Sequence, residues 1–273
     1  MRLSWKIGRV AGIDVYVHAT FLVVFFLFPG VFAGGSLAPL NVFLILSVFG
    51  CVLLHELGHA LAARRFGIET RDITLYPIGG VARLERLPRA SGAELLIALA
   101  GPAVNFAIVA LLVPLLVLEG AAFASSGESI LGLFLQELLI VNLGLGLFNL
   151  IPAFPMDGGR VLRAVLSGWL GRVQATSVAA RVGQFLAVCF GVSAVLWTGN
   201  PIHVALAAFI YLAARAEEAQ VLHEGRSQAD GQGIWTAPPG YRWVSRGDGL
   251  WQLAPITVGF GESDRRRAAA RWR

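Results

Sequence analysis

Residues 40–63 read LNVFLILSVFGCVLLHELGHALAA, and this stretch decides the fold. An apolar run of this length is what a helix needs to cross the roughly 30 Å hydrocarbon core of a bilayer. Near its end stand His55, Glu56 and His59, groups that are expensive at membrane depth unless they face a wet, protein-lined cavity. The run therefore reads as a span that ends in a site. On a helix of 3.6 residues per turn, positions four apart lie within about 40° of each other, so both imidazoles converge on one point. Glu56, rotated by about 100° from His55, can approach a metal-bound water instead of the metal.

Outward from this stretch the composition is of the same kind. The chain has 273 residues, 56% hydrophobic against 14% charged, a mean hydropathy of +0.68 and a single lysine, Lys6. That balance disfavours an ordinary soluble protein and excludes a disordered chain, collagen and a coiled coil. Further apolar runs occupy residues 15–32, 93–118, 130–151 and 182–197, with a shorter one at 202–214. The expectation is an all-α polytopic membrane protein of about six transmembrane helices. The short last run crosses only with help from its flanks.

The net charge of +5 does not point to nucleic acid, because the arginines fall in the gaps between apolar runs. Residues 33–39 carry no ionisable group, whereas the next connector holds Arg64, Arg65, Arg71, Arg83, Arg86 and Arg89. Glu119 and Glu128 lie between the third and fourth runs, then Arg160, Arg163, Arg172 and Arg181 between the fourth and fifth. By the positive-inside rule both termini are cytoplasmic, in a cell membrane that we read as a bacterial inner membrane. A polar, basic start without a convincing small-residue cleavage site argues against a cleavable signal peptide. Cys51 and Cys189 both sit in apolar runs and read as small core residues rather than a disulfide or a paired-thiol site.

Between the second and third runs, residues 73–84 read ITLYPIGGVARL. This is either a membrane-associated β-hairpin turning at Gly79-Gly80 or a plain loop, and Pro77 confines any strand here to an edge. We expect a membrane-embedded domain over residues 1–217. Residues 218–273 then form a cytoplasmic tail, small or partly disordered, in which Trp235, Tyr241, Trp243 and Trp251 hint at a β-rich or membrane-adsorbed element.

Zinc at the His pair needs a third protein ligand and keeps its fourth position for water. Asp157 stands out: it follows a stretch broken by Pro152 and Pro155 and precedes Gly158-Gly159. Such broken backbone is tolerated at membrane depth where it packs in protein or lines water. The charge pattern brings the ends of the second and fourth runs to the same leaflet, which favours a ligand over an exposed turn aspartate.

Together with Gly101-Pro102-Ala103-Val104-Asn105 and the run from Asn149 through Pro152 to Asp157-Gly158, these motifs resemble the site-2 protease family of intramembrane zinc metalloproteases. The resemblance covers most of residues 12–165. It implies that His55, His59 and Asp157 hold one Zn2+ per chain and that Glu56 is the general base that later protonates the leaving amine. It also implies that Asn105 and Asn149 help bind substrate or polarise the scissile carbonyl, although interhelical hydrogen bonding is an equal reading for Asn105. The run PAFPMDGGR at 152–160 is similar to a branch that often carries a pair of CBS modules. The tail is too short for that pair, and no PDZ-like insertion is visible. His18 has a counterpart in that branch. It is read as interfacial or hydrogen-bonded, with an auxiliary role near zinc as the alternative.

The resemblance further implies hydrolysis in or near the spans of single-span membrane proteins, with membrane-bound anti-sigma factors or signal-peptide remnants as candidate substrates. An edge strand of the hairpin would hold such a substrate extended. The rival reading is a divalent-metal or proton transporter using the same His and Asp cluster. Oligomeric state is not legible in the sequence.

Overall fold

The computed structural model describes residues 3–23, 38–77, 79–86, 88, 90–123, 129–233, 237–245 and 251–255. The chain divides into two compact units, Met1–Ala219 and Gln220–Arg273.

The first unit begins with two strands rather than a helix. β1 (Ser4–Val10) and β2 (Ile13–His18) pair antiparallel, joined at Ala11 and Gly12, which adopt φ of 51° and 87°, the positive values a tight hairpin demands. Residues 15–18, expected to open the first span, are therefore strand. Ile13, Val15 and Val17 alternate with Asp14, Tyr16 and His18, and a β-branched run of this kind is satisfied by one buried sheet face. The rest of that expected span lies largely outside the described residues.

A 3-10 turn (Ala19–Leu22) follows, and later α1 (Ala38–Arg65). Beyond α1 come β3 (Thr70–Tyr76) and β4 (Gly79–Leu84), so the expected hairpin forms as part of a four-stranded sheet of order β1-β2-β3-β4. Its turn lies at Pro77, ahead of the expected diglycine: Tyr76 is opposite Gly79, and Gly79 and Gly80 both belong to β4. β2 and β3 run parallel, with Val15 opposite Ile73, which the intervening α1 makes possible. The sheet lies on α1 through a cluster of Ile13, Ile73, Leu57 and Ala60, edged by Leu53 and Ala82. The fold is thus mostly helical with a small mixed sheet, not all-α.

The remaining helices of this unit are α2 (Ser91–Phe123), α3 (Ile130–Asn149), α4 (Asp157–Leu170) and α5 (Arg172–Ser193), followed by α6 (Pro201–Gly233). α2 packs against α1, α3 and α4, and α4 packs against α5. Among the described residues, four helical segments are long and apolar enough to cross a membrane: Leu40–Arg65, Ser91–Ala121, Ile130–Asn149 and Arg172–Trp197. Leu111, Val117, Phe185 and Leu196 are exposed on them, as side chains that meet lipid should be. Cys51 is buried, but Cys189 is exposed, contrary to its reading as a core residue. The short sixth run lies inside α6 and is not among the four segments.

α4 begins at Asp157 and is amphipathic, burying Asp157, Gly158, Gly159, Arg163 and Ala164. Arg163, only 1% exposed, reaches Glu94 of α2 at 2.7 Å through Nε and Glu217 of α6 at 3.0 Å through Nη1. Its guanidinium also lies 4.9 Å from the centre of the Phe154 ring. Ions at this depth are tolerated only when paired and hydrogen-bonded, so the network ties the helix that carries Asp157 to its neighbours.

In the second unit, β5 (Tyr241–Ser245) pairs antiparallel with β6 (Trp251–Pro255).

Candidate metal centre

His55 and His59 stand one turn apart near the end of α1, both 6% exposed, and Asp157 opens α4 at 8% exposed. The structure brings these three expected ligands together. The two Nε2 atoms are 3.0 Å apart, and Oδ2 of Asp157 lies 3.2 Å from that of His55 and 3.1 Å from that of His59. As the first residue of its helix, Asp157 also sits where the macrodipole favours a negative charge.

The outer nitrogens decide what the inner ones can do. Nδ1 of His59 lies 2.7 Å from the carbonyl of Ile97 on α2, an oxygen that only accepts, so Nδ1 is the donor. Nδ1 of His55 lies 2.6 Å from Oδ1 of Asn105. In the neutral rings both Nε2 lone pairs then face one carboxylate oxygen. Three lone pairs crowded without a proton repel one another until a cation sits among them. Ligands about 2.0–2.2 Å from a tetrahedral zinc stand roughly 3.3 Å apart, close to the spacing seen here. Donor type, spacing and outer hydrogen bonds therefore fit zinc.

Gly101 forms a wall of this centre, for a β-carbon there would fall 2.2 Å from Nε2 of His59 and 2.7 Å from Nε2 of His55. Only glycine lets α2 approach the imidazoles so closely. Glu56 is half-buried beside the cluster rather than in it. Its Oε2 accepts from the backbone N–H of Ala82 on β4 at 3.2 Å, and a β-carbon on Gly80 would fall 2.5 Å from its Cγ. The sheet thus holds Glu56 against strand β4.

Asn105, wholly buried on α2, also donates through Nδ2 to Oδ1 of Asn142 on α3 at 3.0 Å. Both ends of its amide are thereby engaged within the helix bundle. Asn149 ends α3, half-buried, with no hydrogen bond to its side chain among the described residues. His18 is not part of the cluster: its Nδ1 accepts from Thr20 N at 3.3 Å, capping the 3-10 turn, and its ring stacks on Tyr76 with centroids 5.0 Å apart.

Sequence reading missed Asn142, Glu94 and the pairing role of Arg163. The first two carried a signal, a lone polar or charged side chain in or beside an apolar run.

Comparison with known proteins gives a consistent picture. The profile of peptidase family M50 matches residues 43–190. The chain is 38% identical over 220 residues to the zinc metalloprotease MJ0392 of Methanocaldococcus jannaschii, covering 80% of this chain and 61% of that protein. It is 37% identical over 250 residues to Rip3 of Mycobacterium tuberculosis, covering 81% and 60%. The chain thus spans about three fifths of the length of these relatives. The solved structure of a site-2 protease from Methanocaldococcus jannaschii is similar at 35% identity and a TM-score of 0.59, covering 79% of this chain and 95% of that one.

Proposed function

Since the chain belongs to peptidase family M50, the site-2 protease family, and is a multi-pass membrane protein, we propose that it is a zinc-dependent endopeptidase. It cleaves peptide bonds in or near the spans of single-span membrane proteins. The observation that carries this reading is the buried meeting of His55, His59 and Asp157 within 3.2 Å of one another at the end of an apolar helix.

In this reading His55, His59 and Asp157 would hold one Zn2+ per chain, which when bound would supply Lewis acidity toward the carbonyl and acidify the attacking water. Glu56 accepts the proton of that water and passes it to the departing amine. Asn149, whose amide has no partner among the described residues, donates toward the carbonyl oxygen as charge develops there. Asn105 supports His55 instead. His18 serves the sheet, capping the 3-10 turn and stacking on Tyr76.

A helical substrate hides its carbonyls in hydrogen bonds, so it must unwind before attack. β4 is an edge strand, and the Ala82 N–H beside Glu56 puts that edge next to the base. A substrate that adds to β4 as a further strand would present its backbone there. α6 supplies a further span beyond the four, with both termini cytoplasmic in the cell membrane. Membrane-bound anti-sigma factors and signal-peptide remnants are the substrate classes proposed.

The test is cleavage of a single-span substrate by the purified chain in detergent, compared with Glu56→Gln. Turnover should fall by about 10²–10⁴-fold at unchanged zinc content. Full cleavage by that variant, or full zinc stoichiometry in Asp157→Ala, overturns the assignment. Metal flux into liposomes without proteolysis would establish the transporter instead.

A further inference from the structure

We propose that Asn142 is a positioning residue that fixes the tautomer of His55 through Asn105, and so sets the metal affinity of the centre. This rests on the metal reading above. The relay starts at a backbone carbonyl. Nδ2 of Asn142 donates to the carbonyl oxygen of Leu138, four residues back on α3, at 2.8 Å. That oxygen cannot donate, so the amide of Asn142 has one orientation, with its Oδ1 turned toward α2.

There Oδ1 accepts from Nδ2 of Asn105 at 3.0 Å, which fixes the second amide in turn. The carbonyl end of Asn105 must then face Nδ1 of His55 at 2.6 Å, and Nδ1 must carry the proton. Nε2 of His55 is left bare toward Asp157 and His59. Both asparagines are fully buried, so no water competes for either amide. His59 needs no such relay, because its Nδ1 meets the carbonyl of Ile97 directly. The two imidazoles are thus set by different devices, one direct and one through two amides crossing three helices.

Without Asn142 the Asn105 amide is free to turn, offering an N–H to Nδ1 of His55. The proton then moves to Nε2, where it opposes metal binding. A residue that only glued α3 to α2 would change stability and leave the metal site alone. Partners one step behind a ligand typically govern 10–100-fold in metal affinity, which gives the scale of the expected effect.

The experiment is zinc titration of the full chain in detergent against a chromophoric chelator. Wild type is compared with Asn142→Leu, Asn142→Asp, Asn105→Leu and the double leucine variant. Asn142→Leu should weaken zinc binding by about 10–100-fold. Asn142→Asp still accepts from Asn105 and should stay within about threefold, an allowance well under that range. The double variant should bind as Asn105→Leu does, since one residue acts through the other. Should Asn142→Leu fail to fold, Asn142→Thr replaces it. Its hydroxyl bonds back to the Leu138 carbonyl but reaches too short a distance to serve Asn105, so the same loss is expected. Wild-type affinity in Asn142→Leu or Asn142→Thr, or additive losses in the double variant, overturns the proposal. A wild-type chain that takes up no zinc overturns the metal reading itself, which separates the two failures.

Discussion

Gly101 stands so close to His59 that a β-carbon on it would fall 2.2 Å from the imidazole Nε2. Backbone and ligand therefore share one space, and α2 approaches α1 at that level only because the side chain is missing. A Gly-Pro pair in the middle of a long helix is unfavourable by propensity, and the room made for two imidazoles accounts for the glycine.

Gly101→Ala should consequently remove most metal binding while leaving helix content intact. Neither ring can retreat, since each is tied behind by its Nδ1 bond. Zinc content by atomic absorption should drop well below one per chain. A variant that retains full zinc would show that α2 can shift instead.

Gly80 tests the placement of Glu56 without touching a ligand. A β-carbon at Gly80 would lie 2.5 Å from Cγ of Glu56, so Gly80→Val should push the carboxylate out of place. Displacement of a reacting group by about 1 Å can cost on the order of 10²-fold. Turnover of a single-span substrate should fall by that order with zinc unchanged. Equal loss of zinc would mean that the whole end of α1 had moved.

Arg163→Met should destabilise the membrane unit by about 3–5 kcal/mol, because it leaves Glu94 buried without its main partner. Arg172, with Nη1 at 3.7 Å from the other oxygen of Glu94, compensates little. Pairing the change with Glu94→Gln should recover part of the loss, measured by unfolding in mild detergent. If the double variant is no better than the single one, the cost lies in packing against Phe154 instead.

The β1–β2 hairpin should loosen in acid. A hydrogen bond from Lys6 outweighs the opposing effect of desolvation on Asp14, and the charges of Lys6 and Arg9 help to hold its carboxyl below the usual range. A depressed value in the folded state means that the contribution is present above the unfolded carboxyl's value and fades as pH falls through the folded one. Protection of the β1 amides, taken relative to their intrinsic exchange rate at each pH, should therefore fall at low pH, and Asp14→Asn should abolish that dependence. Protection that does not change with pH would assign the hairpin's order to its backbone ladder alone.

The chemical centre was legible because its pattern is local. His55 and His59 are one turn apart, and the broken stretch before Asp157 announces itself in two prolines and two glycines. The four spans were legible for the same reason, as runs of apolar residues. Residues 13–18 were not, because a short apolar stretch satisfies both a strand and the start of a helix. What decides the matter is β3, which reaches them only after the whole of α1. Arg163 misled differently: charge counting treats every connector arginine as a solvated marker of the inner leaflet, yet this one is sealed between Glu94 and Glu217. Asn142 needed the third dimension, since nothing in its own neighbours reveals that another amide faces it.

The parallel register of β2 with β3 also constrains biogenesis. Because β2 pairs with a strand that follows α1, the first hairpin keeps one flank open during synthesis until α1 has been made and β3 closes the clasp. Correct placement of α1, the helix that carries both histidines, is thereby a precondition for finishing the sheet.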